Sequence, residues 1–173
     1  TWTVLDKTLP QGTAEGGAWV VNTGTDIDSK PALLCVGGVT AQGPTGDAFL
    51  LDAEGNVTDL PDFTEGTLSM PAVAAWKKGM TVDAWTDGAV FVGGKLNGEP
   101  TNRVFAIGQK DGKWSWAELP ALPGPAREQA VAVTQNGDQK SFILAVFGGS
   151  DGKTALTDGW GYTKTFEGDW AWK

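Results

Sequence analysis

The sequence holds no histidine, one cysteine and one tyrosine in 173 residues. Without histidine the chain lacks the commonest metal ligand and the commonest general base, and it cannot assemble a Ser-His or Cys-His nucleophile pair. Chemistry carried by these residues has to rest on carboxylates, Lys, Arg or Tyr162. Cys35 cannot form an intrachain disulfide; within the apolar run Ala32 to Val36 it reads as a small buried hydrophobe and leaves the redox compartment open. Positive charge is scarce as well. Thirteen Lys and Arg stand against 21 Asp and Glu, a net charge of −8, which repels a polyphosphate backbone and argues against nucleic acid as a partner. No apolar run approaches the roughly 18 residues of a helical membrane span. No basic segment leading into an apolar stretch stands at Thr1, where a secretory leader would show one.

What the chain has in quantity is glycine, 25 residues, and tryptophan, nine. Glycine marks turns and close backbone approach, and Trp supplies large apolar area to sheets, so the mixture leans towards an all-β fold. The length suits one domain able to bury a core without disulfides or metal.

Internal repetition organises the rest. Three apolar runs each end in a glycine pair: Leu33 to Gly38, Ala89 to Gly94 and Leu144 to Gly149, with the pairs 56 and 55 residues apart. Eleven residues beyond the second glycine of each pair stands an aromatic residue, Phe49, Phe105 or Trp160. These sit in strand-like segments, Ala48 to Leu51, Val104 to Ile107 and Gly159 to Tyr162. A further strand follows at Val57, Trp114 and Trp170, and Leu-Pro pairs at Leu9, Leu60 and Leu119 end the ladders because Pro has no N–H to give. After each Leu-Pro comes a strand of small residues, Ala18 to Val21, Ala72 to Ala75 and Ala130 to Val133, suited to an innermost position where sheets crowd an axis. Turn signals separate the strands at Glu54-Gly55-Asn56, Asp111-Gly112-Lys113 and Asn136-Gly137-Asp138. The stretch Met70 to Lys78 also fits a short helix, but its place in the repeat favours strand.

Four short strands per roughly 50 residues make a propeller blade. The pattern of four hydrophobic residues, Gly-Gly, an aromatic residue and a later Trp resembles the kelch repeat over nearly the whole chain. The expected fold is therefore all-β: three consecutive four-stranded kelch-type blades, half of a six-bladed β-propeller. Residues 1–9, with Trp2 to Leu5, read as the outer strand of a neighbouring blade, and residues 10–60, 61–119 and 120–173 as the three blades. Each blade buries two faces against neighbours, and closed rings need at least four. The sequence accordingly predicts a partner: the remaining half of the propeller, on a separate or removed segment, or a second copy, which would leave one outer strand too many per chain.

Within kelch proteins, Glu118 to Gln129 together with Phe147 to Lys153 looks most like the bacterial cyclically permuted mutarotases, related to the N-acetylneuraminate epimerases. That resemblance implies a sugar bound at the axial mouth, an isomerase reaction without cofactor or metal, and a periplasmic or extracellular location. The alternative is a non-catalytic kelch module that binds a glycan or a protein through the same loops. Function belongs on the loops that enter the small-residue strands or leave the Gly-Gly runs. There the polar candidates are Lys95, Glu99, Arg103, Arg127, Glu128 and Asp151. In kelch propellers an Arg placed like Arg127 points into the mouth, where its fork can hold a sugar-acid carboxylate; the bland alternative is an Arg that bonds loop carbonyls. Glu128 and Glu99 are candidates for acid and base in opening a pyranose ring, set against ordinary solvated carboxylates. Lys95, Arg103 and Asp151 complete the expected binding set, with a cross-strand surface role as the alternative for Arg103.

The chain also departs from the epimerases. Their pattern places a Gly-Glu directly after the apolar strand and an Arg six residues later, whereas here Gly94 is followed by Lys95 and Gly149 by Ser150. Gly148 to Thr154 looks like a phosphate loop but is one residue short between its glycines and leads into a strand. A copper site of the kelch-oxidase kind would need the absent histidines. Trp85 has no place in the repeat.

Overall fold

A computed structural model describes residues 9–23, 29–77, 80, 85–135, 142–164 and 169–173. No described residue is helical. The first sheet is a four-stranded antiparallel meander of β1 (Gly17–Thr23), β2 (Lys30–Thr40), β3 (Gly43–Asp52) and β4 (Val57–Asp59). Two residues, β5 (Leu68–Ser69), precede β6 (Ala72–Ala75) and β7 (Asp87–Val92). A small hairpin of β8 (Lys95–Leu96) and β9 (Glu99–Pro100) follows, then β10 (Val104–Lys110) and β11 (Lys113–Leu119). The last meander comprises β12 (Val131–Thr134), β13 (Phe142–Phe147), β14 (Gly159–Lys164) and β15 (Trp170–Trp172).

Three four-stranded sheets thus stand where the repeat placed them, the second ordered β6-β7-β10-β11. The small-residue segment over Ala72–Ala75 is strand, as its repeat position required. The Asp111-Gly112 turn has φ of 51° and 74°, the two left-handed residues that match the twist of a tight hairpin. The expected strand Trp2 to Leu5 and the turn Asn136-Gly137-Asp138 lie outside the described residues. A fourth sheet, β5-β8-β9, is an addition that the repeat did not foresee.

Period-two alternation makes each sheet two-faced, and the faces pack in series. Leu34, Val36 and Leu50 of the first sheet meet Ala89, Phe91, Phe105 and Ile107 of the second. The opposite face of the second sheet, with Ala74, Val90, Val92 and Val104, meets Leu144, Val146 and Tyr162 of the third. Val90, Phe91 and Val92 are wholly buried, each stabilising the fold by about 1.5–3 kcal/mol. Trp85, unplaced by the repeat, belongs to this second core: its indole lies over Gly108, where a Cβ would collide with it, and 5.8 Å from the Trp76 ring.

The glycine pairs have a specific physical reason. Gly37 and Gly93 adopt left-handed φ of 62° and 63°, and a Cβ on either would strike a carbonyl oxygen of the segment that leads into the next four-stranded sheet, that of Leu68 or that of Arg127. The segment leading into each new sheet lies directly across the glycine pair of the one before. This close approach brings the loops of successive sheets together at one end.

Candidate functional site

At that end, Lys95 is the first residue after Gly93-Gly94 and pairs through β8 with the buried Ser69 of β5. The β8–β9 turn is Asn97-Gly98, both left-handed at 53° and 90°. Asn97 also ties the hairpin to the loop before β6: its Oδ1 accepts the Thr67 N–H at 2.9 Å and its Nδ2 donates to the Glu65 carbonyl at 3.1 Å. The fixed hairpin presents Lys95 to the next sheet. There Glu128 is held by two backbone hydrogen bonds with Ser150, of 2.8 and 2.9 Å.

The Lys95 ammonium lies 3.1 Å from Glu128 Oε2, with the two side chains 31% and 10% exposed. The distance is that of a contact ion pair, and no other group hydrogen-bonds Oε2 among the described residues. Among the described residues this is the one ion pair that joins two of the expected site residues, a nearly buried carboxylate against a part-exposed ammonium.

Arg127 is placed otherwise than its neighbour in sequence. Its side chain is fully buried and forks onto Asp158, Nη1 to Oδ1 at 2.9 Å and Nη2 to Oδ2 at 2.8 Å. Nη1 also donates to the Gly148 carbonyl at 3.0 Å, and Nε to that of Pro125 at 3.4 Å. The guanidinium beside it, with the Trp160 indole N–H at 2.7 Å, holds the Asp158 carboxyl down at about 2. No face of this guanidinium is open to a ligand, so the structural alternative weighed from the sequence describes its surroundings. Adjacent backbone residues alternate sides here, which is why Glu128 faces the loops and Arg127 faces the sheet.

Arg103 sits further out. It forks onto Glu118, with bonds of 2.8 and 2.9 Å, reaches Glu65 at 3.0 Å, and lies 4.7 Å over the Phe105 ring. The hydrogen bonds from Arg103 lower the Glu118 pKa, and the two carboxylates raise that of Arg103. Beside this cluster opens a cleft of about 190 Å³ walled by Phe63, Phe105 and Trp116, with Glu65 and Glu118 at its rim. Glu99 is exposed on the hairpin. Asp151 accepts the N–H groups of Lys153 and Thr154 within its own turn, which lowers its pKa. Of the six expected site residues, the structure thus joins Lys95 and Glu128, with Glu99 on the same hairpin as Lys95; Arg103, Arg127 and Asp151 each spend their charge on local partners.

Sequence reasoning passed over a second feature of this end. Glu15, Met70 and Gln129, each just ahead of an inner strand, have left-handed φ of 61°, 52° and 55°. They form a backbone relay from sheet to sheet, Met70 N–H to the Glu15 carbonyl at 2.6 Å and Gln129 N–H to the Met70 carbonyl at 3.0 Å. Three unlike side chains gave no signal beyond their common place in the repeat. The small sheet did have one, the Asn97-Gly98 dipeptide, a strong mark of a tight hairpin.

No family model matches this chain, and no curated protein matches it. Among solved structures it is similar to that of YjhT, at 13% identity and a TM-score of 0.59, over 100% of this chain and 72% of that one. At such identity the likeness speaks for architecture alone: the chain is all-β and propeller-like, a distant structural relative of YjhT.

Proposed function

We propose that the chain contributes three kelch-type blades to a six-bladed propeller, and that its Gly-Gly end forms part of the axial mouth, where a sugar of the sialic-acid type binds and is mutarotated. The observation that carries this reading is the Lys95–Glu128 pair, a nearly buried carboxylate against a part-exposed ammonium at 3.1 Å. The kelch resemblance and the structural likeness to YjhT support it. Lys95 pairs with the sugar carboxylate, a role that the buried Arg127 cannot take. Glu128 accepts the proton of the anomeric hydroxyl while the Glu99 carboxyl gives one to the ring oxygen. The ring C–O bond breaks and a carbonyl forms; attack on its other face closes the ring and returns both protons. The step needs no cofactor, and the resemblance implies a periplasmic or extracellular setting.

A second reading, a non-catalytic glycan-binding module, is favoured by the cleft of Phe63, Phe105 and Trp116, whose aromatic walls and rim carboxylates suit a stacked, hydroxyl-rich ring. Freshly dissolved α-N-acetylneuraminate incubated with the protein and followed through its anomer-specific proton signals distinguishes the two. Isomerase activity requires interconversion faster than the spontaneous rate, lost in Glu128→Gln. Binding without acceleration supports the module, and neither effect removes both readings.

A further inference from the structure

Among the described residues, five other than glycine have left-handed φ. Asn97 and Asp111 stand in hairpin turns and are types that tolerate that conformation, because a short polar side chain can bond locally. Met70 and Gln129 are not such types. Met70 is constrained further by Pro71, whose ring pushes the residue before it towards extended backbone. The relay through these two residues uses main-chain groups alone, so glycine in either place would form it without the steric cost of a Cβ. Strain of this kind persists only where the surrounding structure imposes it, and it gathers at binding sites. What the strained backbone retains, and glycine would not, is the side chains.

Those side chains adjoin the Lys95–Glu128 pair. Met70 follows Ser69, the register partner of Lys95, and Gln129 follows Glu128. The two pairs are thus consecutive contacts across one junction, between the second sheet and the lead-in of the third. Gln129 Nε2 donates to Met70 Sδ at 3.2 Å, with Met70 half-buried and Gln129 exposed, so the amide is turned back over the junction. A thioether sulfur is a weak acceptor, and the amide loses little by exchanging it for a hydroxyl. The amide oxygen sets an acceptor beside that donor, while the polarizable sulfur suits an apolar surface. A pyranose ring offers both, hydroxyls on its edge and C–H groups on its face.

We infer that Gln129 is a second binding residue of this mouth: its amide, resting on the Met70 thioether in the free protein, turns to a hydroxyl of the bound sugar acid, whose C–H face lies against Met70. The inference rests on the mouth reading above and adds to it the residue that orients the ring once Lys95 has taken the carboxylate. The left-handed backbone at Met70 and Gln129 is what points the two side chains at one another beside the ion pair.

Calorimetric titration with N-acetylneuraminate and urea unfolding, on Gln129→Ala and Gln129→Gly, test it together. The control is Asp111→Gly, left-handed at 51° in a turn at the opposite end of the second sheet. Both Gln129 variants should bind the sugar about tenfold more weakly than wild type. The urea midpoint of the glycine variant should lie above that of the alanine variant, since only glycine is relieved of the strain. The control should keep the wild-type affinity. Unchanged affinity in both Gln129 variants overturns the inference and leaves the mouth reading standing. A glycine midpoint no higher than that of alanine also overturns it, by removing the strain on which it stands. A wild type that neither binds nor interconverts the sugar overturns the mouth reading, and the inference with it, so the wild-type result tells the two failures apart.

Discussion

Arg127 and Asp158 hold each other in a two-pronged contact of 2.9 and 2.8 Å, the arginine fully buried and the aspartate about a third exposed. The pair joins the segment leading into the third sheet to the start of its third strand, and the same guanidinium takes up the Gly148 carbonyl. Its contrast with the other forked arginine, Arg103, which lies in the open between Glu65 and Glu118, sets the first expectation. Arg127→Ala should lower the unfolding free energy by about 3 kcal/mol, because a buried fork is lost and two carbonyls are left unanswered. Arg103→Ala should cost below about 1 kcal/mol, and 1 M salt should erase most of that. Urea titrations of both variants with and without salt make the comparison.

Acid should act through Asp158. Its carboxyl stands at about 2 in the fold against 3.8 when free, so the carboxylate form is the one the fold favours. The stability it contributes is complete above pH ~4 and disappears as pH falls through about 2. Asp158→Asn removes that contribution at every pH. The difference in urea midpoint between wild type and variant should therefore shrink steadily between those limits; a constant difference would refute the assignment.

Glycine substitutions should separate crowding from mere handedness. Gly93 and Gly112 share left-handed φ of 63° and 74°, but only Gly93 has a carbonyl, that of Arg127, where a Cβ would go. Gly112→Ala should cost about 1 kcal/mol, the ordinary penalty of the conformation. Gly93→Ala should cost at least twice that, since the lead-in backbone of the third sheet must move. Thermal melts of the two proteins decide it.

The Lys95–Glu128 pair yields a directional expectation. Lys95→Met leaves a carboxylate of 10% exposure without its counter-ion and should destabilise by roughly 1–3 kcal/mol. Glu128→Gln, which removes the charge at nearly constant shape, should restore most of that loss in the double variant. A double-mutant cycle measured by urea unfolding supplies the coupling, and a value near zero would show that the two charges do not act together.

Much of the architecture was legible because it is written in period and spacing. Gly-Gly pairs at a common interval, small-residue strands after Leu-Pro and aromatic residues at a fixed offset all express backbone geometry that each sheet must satisfy by itself. The site was legible only by type. Lys95, Glu128 and Arg127 were all visible as charged residues near a mouth, but whether a side chain turns to the loops or into the sheet depends on the register at one bridge, that of Glu128 with Ser150. Trp85 could not be placed from the repeat because its partner, Gly108, is known only once the strands are paired.

The amino-acid order by itself determined that the chain is all-β, where the strands of its three four-stranded sheets fall, and which chemistry its lack of histidine removes, since these follow from local conformation and composition. Tertiary structure alone decided that Arg127 is a structural fork, that Lys95 meets Glu128, and that Glu15, Met70 and Gln129 form one relay. The Arg127 fork joins the lead-in of the third sheet to that sheet's own third strand, while the other contacts cross between successive sheets, and the packing that brings all of them within about 3 Å is a property that no single segment encodes.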